Sequence, residues 1–201
     1  MRIPLEENLP YLLLTLLVLA VFYGIYFAKM LVQKWHGIHT HQIGRRKEKG
    51  VHTVEVLMSV ATVGVVAAQL LSIMFGWNHL PTNARFTGFG IGMLGDLIFL
   101  LSVLCMKDSW RAGIPAKDKT ELVTSGIYRF SRNPAFLGFD MMYIGVLLMY
   151  CNLLTGFFTA FAVVTLHLQI LQEEKYLAGV FGKEYREYRK RVFRYLGRKR
   201  S

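Results

Sequence analysis

The sequence predicts an all-α integral membrane protein with about five transmembrane helices. Three observations predict it: 53% of residues are apolar and only 18% charged, the mean hydropathy is +0.34, and uncharged runs are long enough to cross a bilayer. A soluble chain of 201 residues has too little interior to hide that much apolar surface, and an average soluble domain carries about 25% charge. The same figures exclude a disordered chain, a collagen and a disulfide-stapled scaffold.

A span needs about 20 residues at a rise of about 1.5 Å each. Residues 9–28 and 56–80 carry no charge, and residues 86–106 carry one, Asp96. The 32 residues 141–172 are also uncharged, too many for one crossing. They are interrupted at Tyr150-Cys151-Asn152-Leu153-Leu154-Thr155-Gly156, where Asn and Gly favour a turn. This predicts a tight helical hairpin over 135–150 and 153–171. The first run reads as a retained helix rather than a cleaved signal, because its flank (Arg2, Glu6, Glu7) is not basic and its apolar stretch is too long.

Basic residues near span ends prefer the cytoplasmic side. Segments 29–49, 106–132 and 173–201 hold 22 of the 24 Lys and Arg residues, leaving only Arg2 and Arg85 elsewhere. With five spans these segments share one side, so the N-terminus is expected outside and the C-terminus in the cytoplasm. The net charge of +11 then suits anionic headgroups; no nucleic-acid-binding module accompanies it, so no nucleic-acid partner is expected. The implied location is a bacterial or archaeal cell membrane or an ER-type membrane. Cys105 and Cys151 fall at opposite faces and are not expected to pair.

Several patterns have plain structural explanations. Gly90-Ile91-Gly92-Met93-Leu94-Gly95 matches G-x-G-x-x-G, but the dinucleotide fingerprint requires a preceding strand, so close helix packing by small residues is the better reading. Asp96 lies near mid-span and is expected to pair with a polar group on another helix. Asp140, within a turn of its helix end, can reach the interface or serve the chemistry. His36, His39, His41 and His52 lie in or near the first basic loop. The spacing H-x2-H-x-H can chelate a metal, but it lacks Cys or carboxylate partners, so a solvated loop and no metal are expected.

The segment Thr120-Glu121-Leu122-Val123-Thr124-Ser125-Gly126-Ile127-Tyr128 differs in kind, as does Arg132-Asn133-Pro134-Ala135-Phe136-Leu137-Gly138 that follows it. The tail adds Glu173-Glu174, Leu177, Phe181-Gly182, Tyr185, Tyr188 and Val192. Together they resemble the isoprenylcysteine carboxyl methyltransferase and phospholipid methyltransferase superfamily of integral membrane enzymes. Its pattern is L-V-T-x-G-x-Y, then R-H-P-x-Y-x-G, a helical hairpin, E-E-x-x-L and F-G-x-x-Y-x-x-Y. The resemblance covers residues 119–192 and divides the chain into transmembrane helices over 1–110 and a methyltransferase-like region over 111–201.

The resemblance implies S-adenosyl-L-methionine as cofactor, bound at the cytoplasmic face, with methyl transfer to a lipophilic or lipid-modified acceptor. By position, Thr120, Leu122, Val123, Tyr128, Asn133, Pro134, Ala135 and Phe136 would line its pocket, closed from the tail by Glu173 and Glu174. The residue chemistry agrees. A carboxylate pair can hold the cofactor's ammonium, Arg132 or Arg129 its carboxylate, and Tyr128 and Phe136 its adenine and sulfonium. Pro134 suits the first helical turn. Asn133 stands where the family has His, and Phe136 where it has Tyr. No Arg precedes the acidic pair by one turn, where prenylcysteine enzymes have one; the stretch reads His167-Leu168-Gln169-Ile170. That weighs against a prenylcysteine carboxylate as acceptor, and leaves a phospholipid amine, a hydrophobic carboxylate, or an isoprenoid thiol or phenol. If a base is needed, Glu173, Glu174 and Asp140 are the nearby carboxylates.

The tail over 173–196 is amphipathic, with Tyr176, Leu177, Val180, Phe181, Tyr188, Val192 and Leu196 at helical spacing. It is expected to bind anionic lipid and to fold back over the loop 128–136. Two alternatives remain: an NADPH-dependent sterol-reductase-like enzyme, whose family resembles this one in its hairpin and cofactor loop, and a non-enzymatic membrane protein.

Overall fold

The computed structural model describes residues 5–40, 42–43, 48–114 and 121–199. The described residues form six α-helices, α1 (Leu5–Trp35), α2 (Lys49–Phe75), α3 (Thr82–Met106), α4 (Pro134–Met149), α5 (Leu153–Val180) and α6 (Gly182–Arg191), with short 3-10 turns at Lys107–Ser109 and Gly126–Arg129. Among the described residues none forms an extended strand. Four of the helices (α1, α2, α3 and α5) are long and apolar enough to cross a membrane, which makes this a multi-pass membrane protein. The fifth expected span, α4, has 16 residues, or about 24 Å at helical rise, shorter than a full crossing.

Helix ends follow local chemistry. α2 begins before its uncharged run and stops at Phe75 rather than at 80, because Gly76 adopts a left-handed conformation (φ 64°, ψ 31°) that turns the chain. Pro134 opens α4 at its first position. The hairpin turn is held by a capping box: the Asn152 side chain accepts from the Leu154 and Thr155 amides, and Thr155 Oγ1 accepts from the Asn152 amide. The tail is not one helix. Residues 173–180 continue α5, the chain breaks at Phe181-Gly182 (Gly182 φ 50°), and α6 follows.

α3 packs along α4, α1 on α3 and α4, and α2 along α5. Rings of Phe22, Phe99 and Phe139 join the first of these groups, with centroids 4.6 Å apart for both Phe22 pairs. The glycine run serves packing, as the absence of a strand requires. A Cβ on Gly95 would lie 2.8 Å from the Gly138 carbonyl oxygen, and one on Gly145 2.6 Å from the Gly88 oxygen. Asp96 departs from expectation. It is buried, and neither carboxylate oxygen has a hydrogen-bond partner. The turns on either side of it pack on apolar groups, Gly92 against Val18 and Phe99 against Phe22. Cys105 and Cys151 are free thiols.

Arg85, the basic residue far from the basic end, is not solvated. It is 3% exposed, donates to the Met149 carbonyl (2.9 Å) and Asn8 Oδ1 (2.8 Å), and lies 3.6 Å from the Tyr11 ring centroid. It ties α1 to α3 and to the hairpin. Arg85→Ala leaves buried acceptors unsatisfied and is expected to cost about 1–3 kcal/mol. The check is a lower unfolding midpoint in detergent, and Arg85→Lys should recover only part of it because an ammonium cannot reproduce the flat fork.

Candidate functional site

At the basic end of the bundle, two loops are stitched together before any site residue is reached. The Gln42 amide donates to the Ala112 carbonyl (2.8 Å), the Ala112 amide to that of Thr40 (3.0 Å), and Gln33 Nε2 to that of Trp110 (2.9 Å). The Ile114 amide donates to the buried Glu55 carboxylate (3.3 Å). This platform forms one wall of a cavity of about 650 Å³.

The cavity has two ends of different chemistry. At one, Arg132, Asn133, Gln169 and Glu173 meet the rings of Tyr128, Phe136, Tyr143, Tyr185 and Tyr188. At the other it is lined by Phe27 of α1 and by Val63, Val66 and Leu70 of α2. Those two helices are consecutive in the chain yet are not a packed pair. Phe27, Val63 and Leu70 are 56%, 71% and 49% exposed, so the aliphatic end opens sideways onto the lipid-facing surface.

Eight of the residues expected from the sequence line this cavity: Leu122, Val123, Tyr128, Arg132, Asn133, Ala135, Phe136 and Glu173. Thr120 lies outside the described residues, as does His41. Pro134 is buried at the head of α4 and does not line the cavity. Glu174 also stands outside it, in a cluster of its own. Its carboxylate accepts from Arg132 Nη2 (2.7 Å) and Nε (3.2 Å), Arg194 Nη2 (3.0 Å) and Nε (3.2 Å), and Asn133 Nδ2 (3.1 Å). Asp140 is buried and outside the lining, with Oδ1 unpartnered, and Arg129 is exposed. His36 lies 3.6 Å from Asp108 on the exposed surface. Among the described residues no cluster of three or more His, Cys, Asp or Glu is positioned to hold a metal.

The tail folds over the loop through hydrogen bonds to backbone carbonyls. The Arg132 amide donates to the Phe193 carbonyl (3.1 Å), the Gly197 amide to that of Phe130 (2.7 Å), and Tyr188 Oη to that of Tyr128 (2.6 Å). Burial raises the phenols of Tyr128 and Tyr188 and takes that of Tyr185 up to about 12, with the Glu174 charge adding to the last. All three therefore present neutral rings near pH 7. The Arg194 guanidinium is held charged more firmly than usual by its hydrogen bond to Glu174.

Sequence reasoning missed three contributors. Arg194 lies past the motif, Tyr143 looks like an ordinary apolar-face residue, and Gln169 stood out only as the absence of an Arg. Gln169 Nε2 donates to Glu173 Oε1 (3.1 Å), while its own Oε1 is buried without a partner. The helical spacing of 169 and 173 was the available signal.

Fold and cavity define a multi-pass membrane protein in which a charged, aromatic site and a lipid-facing aliphatic channel are one space. A family profile described as phospholipid methyltransferase matches residues 84–184. Protein-S-isoprenylcysteine O-methyltransferase B of Arabidopsis thaliana is 27% identical over 168 residues, covering 70% of this chain and 84% of that protein. A probable protein-S-isoprenylcysteine O-methyltransferase of Oryza sativa subsp. indica is 33% identical over 112 residues, 53% of this chain and 58% of that protein. The Homo sapiens protein-S-isoprenylcysteine O-methyltransferase is 40% identical over 76 residues, 37% of this chain and 27% of that protein. The chain belongs to the phospholipid methyltransferase family, within the superfamily it shares with the isoprenylcysteine enzymes, and is a methyltransferase.

Proposed function

We propose that this protein transfers a methyl group from S-adenosyl-L-methionine to an acceptor carried on an apolar chain, at the cytoplasmic face of the membrane. The observation that carries the reading is the single cavity, charged and aromatic at one end and open to lipid at the other.

The donor set fits the cofactor. Glu173 and the unpartnered Oε1 of Gln169 are two acceptors at the cavity wall, suited to an α-ammonium. Arg132 and Asn133 supply N–H donors for a carboxylate, and the neutral rings of Tyr128, Tyr185 and Phe136 suit adenine and a sulfonium. Bound there, S-adenosylmethionine would supply a methyl group activated by its sulfonium, the S–CH3 bond breaking to a neutral thioether as an acceptor lone pair forms the new bond to the methyl carbon. The chain's own contribution is alignment and exclusion of water: the folded tail covers the polar end, and the α1–α2 gap admits the apolar chain of the acceptor. A carboxylate or thiolate acceptor needs no base. For an amine, Glu173 and Glu121 are the carboxylates that line the cavity. The acceptor class is lipid-borne, as the names of the isoprenylcysteine O-methyltransferases imply for those relatives. The stretch His167-Leu168-Gln169-Ile170, where the resemblance leads one to expect an Arg, presents Gln169 to the polar wall, which favours an acceptor head that does not require a guanidinium there.

Two measurements test this. Tritiated methyl transfer from S-adenosylmethionine into membrane extract is expected to label a lipid-extractable product; no label in lipid or protein would sink the reading. S-adenosylhomocysteine is expected to raise the melting temperature of detergent-solubilised protein. Glu173→Gln should weaken that binding by about tenfold or more, the loss of one charge-assisted contact of about 1.4 kcal/mol or above, while His39→Ala leaves it unchanged.

A further inference from the structure

We infer that the C-terminal turn, residues 192–199, is a membrane-embedded hook that docks on anionic lipid beside α5. Within it the Phe193 amide donates to the Gly197 carbonyl (2.9 Å) and the Lys199 amide to that of Arg191 (2.9 Å), closing a tight loop around the Val192↔Arg198 bridge. Tyr195 anchors it. Its hydroxyl is 2.6 Å from His167 Nδ1, and the two rings stack with centroids 5.9 Å apart.

His167 belongs to the membrane-spanning helix α5, six residues before Glu173, or about 9 Å further along the helix axis. The turn therefore does not hang in water beyond the bundle; it runs back along the flank of α5. On that helix Val164, Leu168 and Leu171 are exposed outward. The turn adds Phe193 at 44% and Leu196 at 71% exposure, and Phe130, joined to it through the Gly197 amide, adds 58%. Three large apolar side chains outside the spanning helices are thus displayed together. Arg198 and Lys199 of the turn, and Arg129 and Arg191 next to Phe130 and Val192 in the chain, are exposed, with Lys199 Nζ 5.9 Å from the Phe193 ring centroid. An apolar tip flanked by cations matches an interface of acyl chains below and anionic headgroups above. The same turn holds Arg132 and Asn133 through the Phe193 and Arg194 carbonyls, so docking also steadies the wall of the cavity.

The test uses the full chain with Cys105→Ser and Cys151→Ser, a single cysteine placed by Leu196→Cys, and a fluorescent thiol label, in nanodiscs of phosphatidylcholine with or without about 30% phosphatidylglycerol. Leu171→Cys reports the lipid environment and Glu184→Cys the aqueous one. The label at 196 is expected to be quenched by lipid-borne quenchers as at 171, shielded from aqueous iodide at least threefold relative to 184, and more so with phosphatidylglycerol. Quenching that follows position 184 overturns the hook, and lipid quenching indifferent to phosphatidylglycerol overturns its anionic preference. The measurement needs neither cofactor nor acceptor, so its outcome is independent of the proposed activity. Phe193→Ser/Leu196→Ser provides a second readout: S-adenosylhomocysteine affinity should fall several-fold in the anionic discs and not in detergent, and an unchanged affinity in both refutes the coupling to the cavity.

Discussion

Glu174→Ala is expected to lower stability by about 3–5 kcal/mol, the cost of removing one partner from a buried ion pair. Glu174 and Arg132 have side chains only 6% and 7% exposed, and Arg194 is one-third exposed. Removing the carboxylate leaves two guanidinium groups facing each other with no counter-charge, and strips Asn133 Nδ2 of one acceptor. Part of the loss is relieved because Arg194 can turn toward water. The double variant Glu174→Ala/Arg194→Ala should therefore lose less than the two single changes added together, a coupling that a double-mutant cycle in detergent would expose. Glu173→Gln supplies the contrast. It touches the cavity and not the cluster, and the new amide oxygen can still accept from Gln169 Nε2, so the unfolding midpoint without ligand should fall far less than in Glu174→Ala while ligand-induced stabilisation shrinks. If the two variants lose stability equally, the division of the acidic pair into a ligand-facing member and a structural member is wrong.

That division explains what was legible in the sequence. Glu173-Glu174 is a conspicuous pair, and its nearness to Arg132 and Asn133 followed from motif order. Which carboxylate faces the cavity depends on the roughly 100° step between successive helical residues and on what each then meets. Glu174 meets Arg194, a residue in an irregular turn that no periodicity marks. The spans were readable because lipid demands uncharged runs, and the hairpin because Asn152 is a strong cap. α2 ended five residues early because a single left-handed glycine outweighs the apolar residues after it. The aliphatic end of the cavity was not readable at all. It exists because α2 packs on α5 and α1 on α3 and α4, a choice of distant partners that composition does not encode. Asp96 shows the opposite error: a carboxylate in a span was expected to find a partner, yet its neighbours along α3 pack on Val18 and Phe22.

Gly145 is where a single methyl group is expected to do the most damage. A Cβ there would lie 2.6 Å from both the Gly88 oxygen and the Gly92 nitrogen, and 2.8 Å from the Gly92 Cα. All three are backbone atoms, so no rotamer change can make room, and α4 must move bodily away from α3. Gly145→Ala should cost about 1–3 kcal/mol. Gly145→Leu should prevent recovery of folded, monodisperse protein. The displacement reaches the site, because α4 begins at Pro134, next to Asn133, and carries Phe136 and Tyr143 on the cavity wall. Protein that still folds as Gly145→Ala is therefore expected to bind S-adenosylhomocysteine more weakly than the parent. Gly90→Ala is the control from the same glycine run. Nothing lies within 4 Å of a Cβ at that position, so the change should be neutral or add up to about 1 kcal/mol of helix propensity. In lipid, helices gain little from burying apolar surface against one another and depend on close backbone approach instead. Equal melting temperatures for Gly145→Ala and Gly90→Ala would mean that the α3–α4 seam does not position the head of α4.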